Sequence, residues 1–80
     1  MRLDKFLKVS RIIKRRTIAN EACDSGRVFV NGKQARASYD VKVDDKLEIT
    51  LGGKTMAVQV LSISEYATKD NAGLMYKIIE

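Results

Sequence analysis

The stretch TIANEACDSGRVFVNGKQ, residues 17–34, passes from one periodicity to another. Ile18, Ala19, Ala22 and Cys23 recur at helical spacing. They predict a helix from Thr17 to Ser25 with those four residues as its buried face. Thr17 is placed to be its N-cap, because a hydroxyl there accepts a bond from an amide of the first turn. Asn20 stands where a reciprocal capping box would need Glu or Gln. Gly26 closes the helix in the left-handed conformation that glycine adopts most readily. Beyond it Val28 and Val30 alternate with Arg27 and Phe29, and Asn31-Gly32 is a two-residue hairpin signal. A helix handed directly to a hairpin points to an α+β fold.

Upstream, Leu3, Phe6 and Leu7 form one apolar stripe within a predicted helix over Arg2–Val9, with Arg2, Lys5 and Lys8 off the stripe. Ser10 and Arg11 break the period, and Ile12 with Ile13 anchors the connection. Downstream, DVKVDD at 40–45 reads as a turn bounded by Val41 and Val43. Leu47, Ile49 and Leu51 alternate with Glu48 and Thr50 as a half-buried strand. Gly52-Gly53 reverses the chain, and Lys54–Ile63 returns as a strand with Met56, Val58 and Val60 on one face. Residues 64–73 are a loop or one turn of helix, and LMYKIIE at 74–80 composes a last edge strand. The expected architecture is one domain over residues 1–80, with two N-terminal helices packed on a small, mostly antiparallel sheet.

Catalytic chemistry finds little support. The chain has no histidine, which removes the usual neutral-pH base and the commonest metal ligand. Its one cysteine, Cys23, makes neither a disulfide nor a zinc site, and on an apolar helix face it reads as packing. Asp44-Asp45 suits a solvent-facing turn better than a carboxylate pair. Gly52-Gly53-Lys54-Thr55 lacks the spacing of a phosphate loop and is followed by a strand. No cofactor, metal or enzymatic activity is expected. No apolar run is long enough to span a bilayer. Asp4, Lys5 and Lys8 interrupt any signal-like core, so neither a membrane nor a leader is expected, and a reducing cytoplasmic setting fits.

Charge is unevenly placed. Residues 1–36 carry ten Lys and Arg against three acids, a net +7, while residues 37–80 carry five against seven, a net −2. That asymmetry predicts a directed polyanion-binding face. Arg2, Lys5, Arg11, Lys14, Arg15 and Arg16 lie on the two helices and their connector, and arginine's planar fork grips phosphate in a bidentate way. Phe6, the aromatic nearest them in sequence, belongs to the core stripe. Phosphate and sugar contacts to a folded RNA are therefore favoured over base stacking, with duplex DNA as the competing ligand. Lys8 is the expected bystander.

These features together resemble a known family. Arg2-Leu3-Asp4 with Phe6-Leu7, Arg11, Arg15-Arg16-Thr17, Ala19, Gly26, Val28, Val30-Asn31-Gly32-Lys33, and Val43-Asp44-Asp45 with Leu47 and Ile49 are similar to the S-four RNA-binding domain. The likeness covers about residues 1–50. One departure is the turn at 41–45, which lacks the Pro-Gly often found there. The resemblance implies RNA held by the helices and the loop between them, through Arg2, Lys5, Arg11, Lys14, Arg15 and Arg16. Lys33 and Arg36 are implied as peripheral contacts, and Asp4 as a residue that orients a neighbouring arginine or favours the first helix dipole. Free-standing members of the family imply a non-catalytic role in bacterial ribosome quality control, and the chain is expected to be a monomer. The partners so implied are large-subunit ribosomal RNA, the tRNA of peptidyl-tRNA, and an RqcH-type tailing factor that extends the stalled chain. The alternatives are an RNA-binding accessory of an rRNA- or tRNA-modifying enzyme, or a general structured-RNA-binding module.

Overall fold

A computed structural model describes residues 1–64 and 72–79. Two helices, α1 (Leu3–Val9) and α2 (Arg16–Asp24), precede five strands: β1 (Val28–Val30), β2 (Lys33–Gln34), β3 (Lys46–Leu51), β4 (Lys54–Val60) and β5 (Tyr76–Ile78). A 3₁₀ turn, Ala72–Leu74, leads into β5. The sheet is antiparallel in every pairing, with order β2-β1-β3-β4-β5. The α+β expectation holds, and β5 is the edge strand that its composition suggested. Most of the 64–73 reading falls outside the described residues.

Register explains the core. Val30 pairs with Leu47, Leu47 with Val58, and Val58 with Ile78, so one row of side chains crosses four strands on one face. The neighbouring row runs Val28, Ile49, Met56. Against this face sit Leu3, Phe6 and Leu7 of α1, each with no exposed surface. Full burial of such side chains supplies about 1.5–3 kcal/mol apiece, so this stripe binds α1 firmly to the sheet.

The hairpin at Asn31-Gly32 has both φ angles positive (53° and 83°), as a two-residue turn matched to strand twist requires. Asn31 also ties this hairpin to the 42–45 turn. Its side-chain amide donates to Asp45 Oδ1 (3.1 Å), its carbonyl oxygen accepts from the Lys46 N–H (3.0 Å), and Asp45 Oδ2 accepts from the Lys42 N–H (2.9 Å). Within that turn Asp44 takes φ 76°, doing what a glycine does in a Pro-Gly turn.

Gly26 ends α2 at φ 84°, and a Cβ there would collide with the Gln34 side-chain amide. Gly26→Ala is expected to destabilise the fold by about 1–2 kcal/mol, the cost of forcing a side-chain-bearing residue into the left-handed region. Urea denaturation checks this as a lowered midpoint at unchanged slope.

Four sequence expectations need correction. α2 begins earlier than Thr17: the Arg15 carbonyl accepts the first intrahelical bond, from the Ala19 N–H (3.0 Å), making Arg15 the N-cap, with no side-chain cap bond. Ile18 is 44% exposed, because the face toward the core is centred on Ala19, Ala22 and Cys23. These small side chains let α2 lie close to α1 and leave Ile18 at the rim. β4 stops at Val60 rather than Ile63, because the N–H groups of Leu61 and Ser62 both turn to the Met75 carbonyl (2.7 and 3.3 Å). α1 itself starts at Leu3, with Arg2 extended before it at φ −61° and ψ 144°.

Candidate nucleic-acid interface

Asp4 organises the junction of the two helices. It lies in the first turn of α1 with its side chain 2% exposed, an uncommon place for a carboxylate. Its Oδ1 accepts from its neighbour's backbone, the Lys5 N–H (2.8 Å), and from Arg2 Nε (3.1 Å). Its Oδ2 accepts from the Asn20 side-chain amide (3.2 Å), Arg16 Nε (3.4 Å) and an Arg2 terminal nitrogen (3.5 Å). Burial would raise this carboxyl's pKa, but the Asn20 amide, the Arg2 guanidinium, the Arg16 charge and the Lys5 N–H outweigh it. The net shift is downward from 3.8, so Asp4 is charged at neutral pH.

Both guanidiniums present their Nε edge to the carboxylate and stay about half exposed (51% and 49%). One buried negative charge thus holds two arginines side by side, with a net positive charge and N–H groups left to face solvent. They flank a shallow depression of roughly 540 Å³ that Asp4, Thr17, Asn20 and Glu21 complete. The site is open, fixed at its floor and cationic at its rim. That suits an anionic, shaped surface rather than a small enclosed ligand.

The other predicted residues fall into two groups. Lys5 follows Asp4 on α1 and is half-buried. Arg11, Lys14 and Arg15 are exposed along the connector, which is pinned by buried Ser10 and Ile13, and no described residue pairs with any of the three. Arg36 comes close to the α1 N-terminus through the 36–39 turn: Ala37 and Tyr39 carbonyls accept from the Asp4 and Leu3 N–H groups (3.3 and 2.8 Å). Lys33 stays in β2, at the far edge of the sheet, and is not brought to Asp4 by any backbone contact. Asp4 orients not one arginine but two.

Sequence reasoning missed Asn20, which it weighed only as a failed capping residue. The available signal was its spacing, since Arg16 and Asn20 are four residues apart on one face of α2. Cys23 fills the core beneath this junction. Burial, together with the Asp4 and Asp24 carboxylates, pushes its thiol up to about 12, so it stays protonated and inert as a nucleophile. Among the described residues no cluster of His, Cys, Asp and Glu is arranged to hold a metal ion, and no helix is long and apolar enough to cross a membrane.

Residues 1–47, from α1 into β3 and including the whole Arg2–Asp4–Arg16 junction, match the S4 domain. The chain belongs to the S4 domain family. Two relatives in this family are each named RQC P-site tRNA stabilizing factor. The Streptococcus pneumoniae protein is 54% identical over 79 residues, covering 99% of this chain and 90% of its own. The Bacillus subtilis protein is 52% identical over 80 residues, covering 100% and 93%. Among solved structures, the S4-domain fold of this chain superposes on Heat Shock Protein 15 of Vibrio cholerae, described as trimeric. The TM-score is 0.91 at 26% identity, covering 99% of this chain and 81% of the other.

Proposed function

We propose that this chain is a non-catalytic RNA-binding factor of bacterial ribosome-associated quality control, acting in the cytoplasm on large ribosomal subunits obstructed by peptidyl-tRNA. It grips tRNA and large-subunit ribosomal RNA through Arg2, Arg16 and the connector residues Arg11, Lys14 and Arg15. Lys5, Lys33 and Arg36 contribute at the periphery. In doing so it steadies the tRNA while an RqcH-type factor tails the nascent chain. The observation that carries this reading is the pair of half-exposed guanidiniums braced on one buried carboxylate. Such a pair is positioned before any ligand arrives, which lowers the ordering cost of gripping phosphates. The names of the relatives supply the biological setting.

The test is affinity purification of the tagged full chain from bacterial cells. Large subunits carrying peptidyl-tRNA are expected to accompany it, and their absence, or a preference for duplex DNA over tRNA at equal salt, would overturn the reading. The chain is expected to act as a monomer. Sedimentation of the free protein checks this against the trimer described for the Vibrio protein.

A further inference from the structure

Of the chain's three asparagines, Asn20, Asn31 and Asn71, only Asn31 precedes a glycine. Asparagine before glycine is the pair most prone to lose its side-chain amide, because no Cβ on the next residue shields the attacking backbone nitrogen. Asn31 and Gly32 are both exposed, and nothing lies within 4 Å of where a Gly32 Cβ would stand. Water and base therefore reach this turn.

What opposes the reaction is the clasp on the Asn31 side chain. Its Nδ2 donates to Asp45 Oδ1 (3.1 Å), while its Oδ1 accepts from the Lys46 N–H (3.0 Å). An amide tied at both ends to residues 45 and 46 is not free to swing its Cγ onto the Gly32 nitrogen. Asp45 is itself anchored. Its Oδ2 accepts from the Lys42 N–H (2.9 Å), and its backbone carbonyl accepts from the Val60 N–H (2.9 Å).

We propose that Asn31 is a latent deamidation site, kept closed by Asp45 and the Lys46 N–H, which hold its amide against the start of β3. When the clasp opens, the Gly32 backbone nitrogen gives up its proton and attacks Asn31 Cγ. The new C–N bond closes a succinimide ring, the Cγ–Nδ2 bond breaks, and ammonia leaves with the proton that the glycine nitrogen gave up. Water then opens the ring at either carbonyl, leaving aspartate or isoaspartate at position 31. Both products disturb the fold. A carboxylate there faces the Asp45 carboxylate with no donor between them, and like charges so opposed repel. The isoaspartate form also adds a backbone carbon to a two-residue turn, which upsets the pairing of Val30 with Lys33. Deamidation therefore severs the link between the hairpin and the 42–45 turn. None of this depends on RNA binding.

The test is peptide mapping by mass spectrometry of the purified full chain held at mildly alkaline pH, where conversion of an amide to a carboxyl is read at each asparagine. In urea above the unfolding midpoint, conversion is expected chiefly at Asn31. In the folded wild type it should run about tenfold slower or more, because both hydrogen bonds must break first. Asp45→Asn keeps an acceptor for the Lys42 N–H but turns a second donor toward Asn31 Nδ2. It should convert residue 31 about two- to tenfold faster than wild type, while a cooperative urea transition shows that it is still folded. Asn31→Asp mimics the product and should lower the folding equilibrium constant about three- to tenfold. Adding Asp45→Asn returns a donor to the pair and should recover most of that loss. Three results would overturn the proposal. One is a folded wild type that deamidates at Asn31 as fast as the unfolded chain. Another is a folded Asp45→Asn variant no faster than wild type, and the third is unchanged stability of Asn31→Asp.

Discussion

Replacing Arg2 and Arg16 together by alanine is expected to lower affinity for obstructed large subunits by about a hundredfold or more. That figure follows from two charge-assisted phosphate contacts at about 1.5–3 kcal/mol each. Both residues also hold Asp4, so the double variant strips a 2% exposed carboxylate of its two cations and leaves it the Asn20 amide and the Lys5 N–H. A stability loss of about 1–2 kcal/mol should accompany the binding defect. The two effects are separable. Adding Asp4→Asn to the double variant removes the orphaned charge, and should restore most of the lost stability while leaving binding absent. A triple variant that is stable and still binds obstructed subunits like wild type would refute the assignment of these arginines. Replacing both by lysine should retain attraction at low salt but lose affinity at physiological salt, because an ammonium lacks the fork that meets Asp4 and phosphate together.

How much of this was readable beforehand depends on the range of the interactions. The Leu3, Phe6 and Leu7 stripe was legible because helical periodicity alone selects a buried face, and all three are fully buried. Asn31-Gly32 was legible because two successive positive φ angles limit the choice of residue at those two positions. The width of the covered stripe on α2 was not legible. Ile18 and Ala19 are both apolar, and only the approach of α1 decides which one is enclosed. Thr17 failed as the N-cap for a related reason: Arg15 provides the first accepting carbonyl with no side-chain cap. The end of β4 was decided by Met75, fifteen residues beyond Val60, so no local pattern announced it.

The binding face divides in the same way. Clustered positive charge in residues 1–36 pointed to a polyanion-binding face, and two of its arginines, Arg2 and Arg16, stand side by side on Asp4. What the charges could not show is that Arg2 and Arg16 are compensated by Asp4 while Arg11, Lys14 and Arg15 are not. The pairing of Asp4 with Arg16 and Asn20 spans twelve and sixteen residues. It exists only because small side chains at Ala19, Ala22 and Cys23 let the helices close on one another.

Asp4→Ala is the variant that tests this bracing directly, and its expected effects run in opposite directions. Two guanidiniums held side by side lose their shared counter-charge, so they repel and splay into solvent. The fold should lose about 1.5–3 kcal/mol, the range for hydrogen bonds to a charged group, since five donors converge on this carboxylate. Net positive charge rises by one, so weak attraction to any polyanion strengthens at low salt and becomes more salt-dependent. Discrimination should fall, because the arginines no longer present a fixed spacing. Competition between tRNA and duplex DNA at one ionic strength measures this as a reduced ratio. The sign of the pH dependence follows from the lowered pKa of Asp4. A depressed carboxyl contributes stability that is present above its unfolded value of 3.8 and is lost as pH falls through the lower folded value. The stability gap between wild type and Asp4→Asn should therefore be constant above about pH 5 and close progressively as pH drops below 3.8. A gap unchanged down to the acid limit would show that Asp4 acts by packing, and that its charge does not brace the arginines.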